Sequence, residues 1–129
     1  ILSVTVLLGL GGVERSALHA AETGKFLSRI DPDYAGALSV ILVPGTVLAD
    51  EVRKGTFKVP DPYMLLEELA IMIEHTNVTH TFFASNHASN YLPVKAWLPE
   101  EKERTLRAIR EVLNRRDPAL LRPEFMRAL

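Results

Sequence analysis

The chain has 129 residues, 47% of them hydrophobic and 24% charged, with a formal net charge of -1. That is the composition of an ordinary globular domain, and it lacks the basic excess that a nucleic-acid or anionic-membrane footprint requires. Cysteine is absent, so these residues hold no disulfide, no cysteine-ligated metal and no thiol nucleophile. No apolar run reaches the roughly 18 residues of a membrane span.

Taken in chain order, Ile1 to Leu10 is continuous and β-branched, the pattern of a strand buried on both faces. It carries neither a basic flank before it nor a small-residue cleavage site, so it does not read as a signal peptide. Gly9, Gly11 and Gly12 stop it. A helix is expected from Ser16 to Ile30, with Ser16 as N-cap, Val13, Ala17, Ala20, Gly24 and Leu27 recurring at helical spacing, and "DPD" (31–33) ending it. "ALSVILVPGT" (37–46) is the second strand, broken by Pro44-Gly45. "VLADEVRKGTF" is a short helical turn closed by Gly55. Asp61-Pro62 then starts the clearest helix, an acid at the N-cap with proline at the first turn, and Leu65, Leu66, Leu69, Met72 and Ile73 form its inner stripe.

"VTHTFFAS" (78–85) is the third strand, with Phe82 and Phe83 on opposite faces, and "NHASNYLP" is the loop at its end. Pro99, Glu100 and Glu101 open a last helix that finishes at Arg115 and Arg116, an arrangement that suits the helix dipole. Its inner face is Leu106, Ile109, Val112 and Leu113. Asp117-Pro118 stops it, and residues 118–129 form a tail with room for one helical turn. The expected fold class is therefore α/β, three βα units with parallel strands in one domain spanning 1–129. Three parallel strands leave two unpaired edges. Together with a start inside a core strand and no initiator Met, this points to a piece of a longer polypeptide, and to self-association of the piece.

In βα architectures ligands collect at the carboxyl ends of the strands. Here those ends are "GLGGVE", "VPGTVL" and "SNHASN", all on one rim. The glycine turn allows close backbone approach to an anion. A dinucleotide fingerprint, however, needs glycine where Glu14 stands, and an acid where the second strand ends in Val43-Pro44-Gly45. His19, His75, His80 and His87 show no metal-ligand spacing and no carboxylate cluster joins them, so no metal site is expected. His87 alone lies on the ligand-collecting rim, where acid-base work is open to it. A loop so rich in Asn and Ser has two readings: a satisfied turn tied by Asn86 and Asn90 over Tyr91, or one wall of a site.

Three segments together resemble the radical SAM superfamily, in its Fe-S oxidoreductase branch. "LLGLGGVERSALHAAETGKFL" is similar to the fifth strand and helix of those barrels, "SVILVPGTVLADEVRKGTF" to the next strand, and "FFASNHASNYLPVKAWLPEEKERTL" to the segment after it. The resemblance covers nearly the whole chain to about Asn114. It implies a partial TIM barrel, the C-terminal part only, lacking the CxxxCxxC strand that holds a [4Fe-4S] cluster and cleaves S-adenosylmethionine to a 5′-deoxyadenosyl radical. By the same carry-over, Gly9, Gly11 and Gly12 shape the turn near the adenosyl part, with Glu14 beside them. Leu42 and Val43 offer backbone or apolar contact to adenine, and Asn86, His87, Ser89 and Asn90 face the substrate mouth. The turn departs from the family's usual glycine-rich patterns ending in Glu, which leaves the role of Glu14 open.

The resemblance thus implies a cytoplasmic parent enzyme with S-adenosylmethionine and an iron-sulfur cluster, whose missing N-terminal half is the natural partner of this chain. On its own the chain is expected to bind no cofactor. The alternative is a small α/β module that binds a nucleotide or anion at Gly11-Gly12 without catalysis.

Overall fold

The computed structural model describes residues 1–129. Its elements are β1 (Ser3–Leu8), α1 (Ser16–Ile30), β2 (Tyr34–Ser39), α2 (Val47–Lys54), α3 (Pro62–Glu74), β3 (Thr81–Ala84), β4 (Lys95–Leu98) and α4 (Lys102–Arg115), followed by two 3-10 turns at Pro118–Leu120 and Glu124–Met126. The strands form one open sheet in the order β1-β2-β3-β4. The first three are parallel, and β4 returns antiparallel to β3.

The α/β class and the parallel βα units stand as expected, but the sheet is mixed and four-stranded, and it is not closed. The added strand lies inside what reads as loop. "KAWL" alternates exposed and buried residues between Pro93 and Pro99 and is only four residues long, so its period-2 signal is short. The second strand also ends early, at Ser39. Its neighbour β1 stops at Gly9, so the Val40 N–H to Leu8 carbonyl bond (2.9 Å) is the last one available, and Leu42 and Val43 fall in the turn beyond. At the start of α1 the cap position is Arg15, which makes no side-chain cap. Ser16 is already helical, and its hydroxyl is engaged elsewhere. The α3 cap is as expected, with the Asp61 carboxylate accepting from Met64 N–H at 2.9 Å.

Register lines up Val4, Ala35, Phe83 and Ala96 across the sheet, and with Leu8, Ala37 and Leu98 they join one core with α1, α3 and α4. The neighbouring row, Ser3, Tyr34, Phe82 and Trp97, points to the opposite face. There Tyr34 and Trp97 stay 46% and 39% exposed, so this face has no covering layer. The Tyr34 and Phe82 rings meet edge-on at 6.5 Å, Phe82 meets Trp97 at 5.1 Å, and His80 stacks on Trp97 at 4.4 Å. The three long core helices thus share one side of the sheet. Strand order explains this for α1 and α3: the crossovers from β1 to β2 and from β2 to β3 each move one strand in the same direction, so crossovers of one hand deposit their helices on the same face. Helix α4 follows the antiparallel β4 and packs on α3.

Helix α3 is the centre of that layer, with Leu65, Leu66, Leu69, Met72 and Ile73 all buried as the apolar stripe predicts. α1 reaches it through Gly24, where a Cβ would lie 2.5 Å from the Met72 carbonyl oxygen and 2.8 Å from the His75 Cβ. A side chain there would push two helices apart by their backbones. Gly24→Ala is expected to lose about 1–3 kcal/mol of stability despite alanine's better helix propensity. Urea unfolding of the variant checks this, and an unchanged midpoint would contradict the close crossing.

Candidate functional site

The carboxyl ends of β1, β2 and β3 meet at one rim. Gly9 and Val40 touch there, since a Cβ on Gly9 would come within 2.6 Å of the Val40 side chain. Ser39 ties β2 to the loop after β3: its N–H donates to Ser89 Oγ (3.1 Å) and its hydroxyl to Asn90 Oδ1 (2.7 Å). Asn90 Nδ2 donates in turn to the Ala37 carbonyl at 2.8 Å.

The three glycines of the first turn each answer a steric need. Gly9 has φ 94° and Gly12 φ 65°, the left-handed region that glycine enters without penalty. A Cβ on Gly11 would meet the Arg15 carbonyl oxygen at 2.8 Å. The turn's amide groups are largely consumed inside the chain. Gly12 N–H donates to the Gly9 carbonyl, Val13 N–H to Lys58 and Arg15 N–H to Gly11. Gly9 N–H donates to the carboxylate of Glu68 at 2.8 Å, and Ser16 Oγ donates to the other oxygen at 2.7 Å.

Glu68 is the functional-looking group that the sequence reading missed. It is fully buried at the middle of α3, beneath the glycine turn. Burial pushes its carboxyl above the ordinary range, opposed by the bonds from Ser16 and Gly9 and by nearby His19. The signal was present: Glu68 stands three residues after Leu65 and four before Met72, an acid inside an apolar stripe.

The remaining candidates divide. Glu14 is exposed and lines an open cleft of about 400 Å³ with Gly11, Gly12 and the Gly55–Lys58 segment. Leu42 and Val43 are 36% and 38% exposed; the Val43 carbonyl is held by Thr46, so its available surface is the side chain. Asn86 and His87 are exposed at the rim. Ser89 and Asn90 are buried, and they act as ties between the loop and β2 rather than as surfaces open to a ligand. Tyr91 packs beneath them, 8% exposed. Of the two expected ties of this loop, Asn90 makes its bonds and Asn86 does not, Ser89 standing in its place, while Asn86 and His87 are exposed at the rim.

His87 Nδ1 accepts the Ser89 N–H at 3.1 Å, which puts the proton of the neutral ring on Nε2. The other histidines lie apart. His19 Nε2 is 3.0 Å from the Leu7 carbonyl oxygen, His75 Nδ1 2.9 Å from that of Ile71, and His80 Nδ1 2.9 Å from Glu100. No family model, curated protein or solved structure matches the chain.

The geometry makes Glu68 the support of the glycine turn, with a definite pH signature. A carboxyl whose folded pKa is raised contributes stability that is complete below its unfolded value and lost as pH rises through the folded one. Wild type is therefore expected to lose stability relative to Glu68→Gln as pH rises above the ordinary carboxylate value of 4.5. The amide still accepts from Gly9 and carries no charge to bury. Glu68→Leu leaves Gly9 N–H buried without a partner, at a cost of about 1–3 kcal/mol. Thermal unfolding across that pH range checks both. A constant difference between wild type and Glu68→Gln would contradict the assignment.

Proposed function

We propose that this chain is the cofactor- and substrate-facing wall of a radical SAM barrel. It would act with a cysteine-bearing segment that lies outside these residues and holds the [4Fe-4S] cluster. The observation that carries the proposal is the one-sided layering. Parallel strands advance in a single direction with their helices on one face, their other face is bare, and three turns share one rim. An open doubly wound sheet covers both faces, whereas a barrel wall covers one and turns the other inward.

The residues at the rim suit the group they are proposed to meet. Gly9, Gly11 and Gly12 hold the first turn close to the sheet end. The Leu42 and Val43 side chains offer apolar surface to an adenine ring, and Glu14 stands exposed beside the turn. When bound, S-adenosylmethionine at the cluster would supply radical chemistry, and Gly9, Gly11, Gly12, Leu42 and Val43 would hold its adenosyl part. His87, exposed at the rim with its Nδ1 bonded to Ser89, would donate a hydrogen bond to a substrate through its other ring nitrogen. No cysteine is present to ligate the cluster, so the proposed chemistry needs the partner segment.

The alternative, an anion held at Gly11-Gly12, is disfavoured by the same geometry. The turn spends the Gly9, Gly12, Val13 and Arg15 amide donors on Glu68, on its own carbonyls and on Lys58, which leaves few to hold an anion. The bare aromatic row also supports self-association of the isolated chain, since it leaves an apolar sheet face uncovered.

The test compares the isolated chain with a polypeptide extended to include a CxxxCxxC segment. The extended protein is expected to bind about four irons per chain and to release 5′-deoxyadenosine under reduction. The isolated chain is expected to do neither. A natural parent without that cysteine triplet, or an iron-loaded extended protein that leaves S-adenosylmethionine intact, would overturn the proposal.

A further inference from the structure

The tail after α4 lacks regular helix or strand, yet it contains one of the most heavily bonded side chains in the protein. Arg127 is 7% exposed at its side chain. Its Nε donates to the Ser89 carbonyl at 2.7 Å, one terminal nitrogen to the Val40 carbonyl at 2.9 Å, and the other to Tyr91 Oη at 2.5 Å and Glu124 at 2.7 Å. The guanidinium lies 4.2 Å from the Tyr91 ring centroid. Tyr91 Oη in turn donates to Glu124. Five residues earlier, Arg122 bonds the carbonyls of His87 and Asn90, each at 3.0 Å, and its N–H donates to the Tyr91 carbonyl at 2.7 Å. Ala128 N–H donates to Ala88 at 3.3 Å.

These bonds have a common target. From one side Ser39 and Ala37 hold the loop after β3; from the other the tail holds its carbonyls. Arg127 spans both, because it joins the end of β2 at Val40 to the loop at Ser89. No other hydrogen bond in the chain takes either carbonyl. A planar group with five donors in a fixed fork suits such a three-way junction, and a lysine does not reproduce it.

We propose that Asp117–Leu129 is a strap that fixes the conformation of the loop carrying His87, and that Arg127 is the positioning residue through which it acts. Arg127 makes no hydrogen bond to the His87 side chain or to the glycine turn. Its effect travels through the Ser89 carbonyl, one residue pair away from the His87 ring. The inference rests on the loop lying at the strand ends. It does not depend on which cofactor meets the rim, so it survives or fails separately from the radical SAM reading.

The test is amide hydrogen exchange on the full chain carrying Arg127→Ala, with Phe125→Ala as a control at an 87% exposed position in the same tail. The expected result is that Ser39, Ser89 and Asn90 amides exchange about tenfold faster or more in Arg127→Ala, while α3 amides keep their wild-type rates. Phe125→Ala is expected to leave all of them unchanged. Arg127→Lys retains the charge without the fork and is expected to give a smaller acceleration at the same three amides. It is the variant to read if Arg127→Ala does not fold. Loop amides that keep wild-type rates in the variant read would overturn the proposal, as would loop and α3 amides accelerating together.

Discussion

The arrangement at the strand ends depends on one fully buried carboxyl group. Glu68 rises from the middle of α3 and takes the first amide of the glycine turn and the first hydroxyl of α1. It therefore couples three elements, the end of β1, the start of α1 and the body of α3, in a place where an unpaired donor would be costly. The desolvated carboxyl is itself costly, so the site gains geometry at the expense of stability. That trade is common where a backbone turn must be held in one position.

The rest of the rim follows from that anchor. With Gly9 fixed, its close approach to Val40 sets the end of β2, and Ser39 then receives the loop after β3. A second layer of polar ties, Asn90 to Ala37 and the tail to the loop, closes the ring of contacts. The result is a rim built almost wholly from satisfied backbone groups. Glu14, Leu42, Val43, Asn86 and His87 are left as the side chains free to meet something else.

Local signals were legible in the sequence where one residue governs one feature. Asp61-Pro62 announced α3, Gly55 closed α2 in the left-handed region, and the Leu65-to-Ile73 stripe named its buried face. Phe82 and Phe83 divide between the two faces by simple alternation. Features that depend on distant partners were not legible. Ser89 and Asn90 look like exposed loop residues until Ser39, about fifty positions earlier, arrives to bond them. Arg127 sits in a tail without periodicity, and its partner Val40 is 87 positions away. Strand β4 lies between these cases, since its alternation spans only four residues between Pro93 and Pro99.

The central claim is that the sheet is a wall with one bare face. Trp97 is the only tryptophan, and it lies on that face in the row with Tyr34 and Phe82. Its fluorescence in the dilute monomeric chain is the most direct probe. Solvent-exposed emission that acrylamide quenches readily is expected, with a blue shift and protection when a further segment or a second copy of the chain covers the face. Blue-shifted, protected emission in the isolated monomer would mean that the face is already covered, and it would contradict the account.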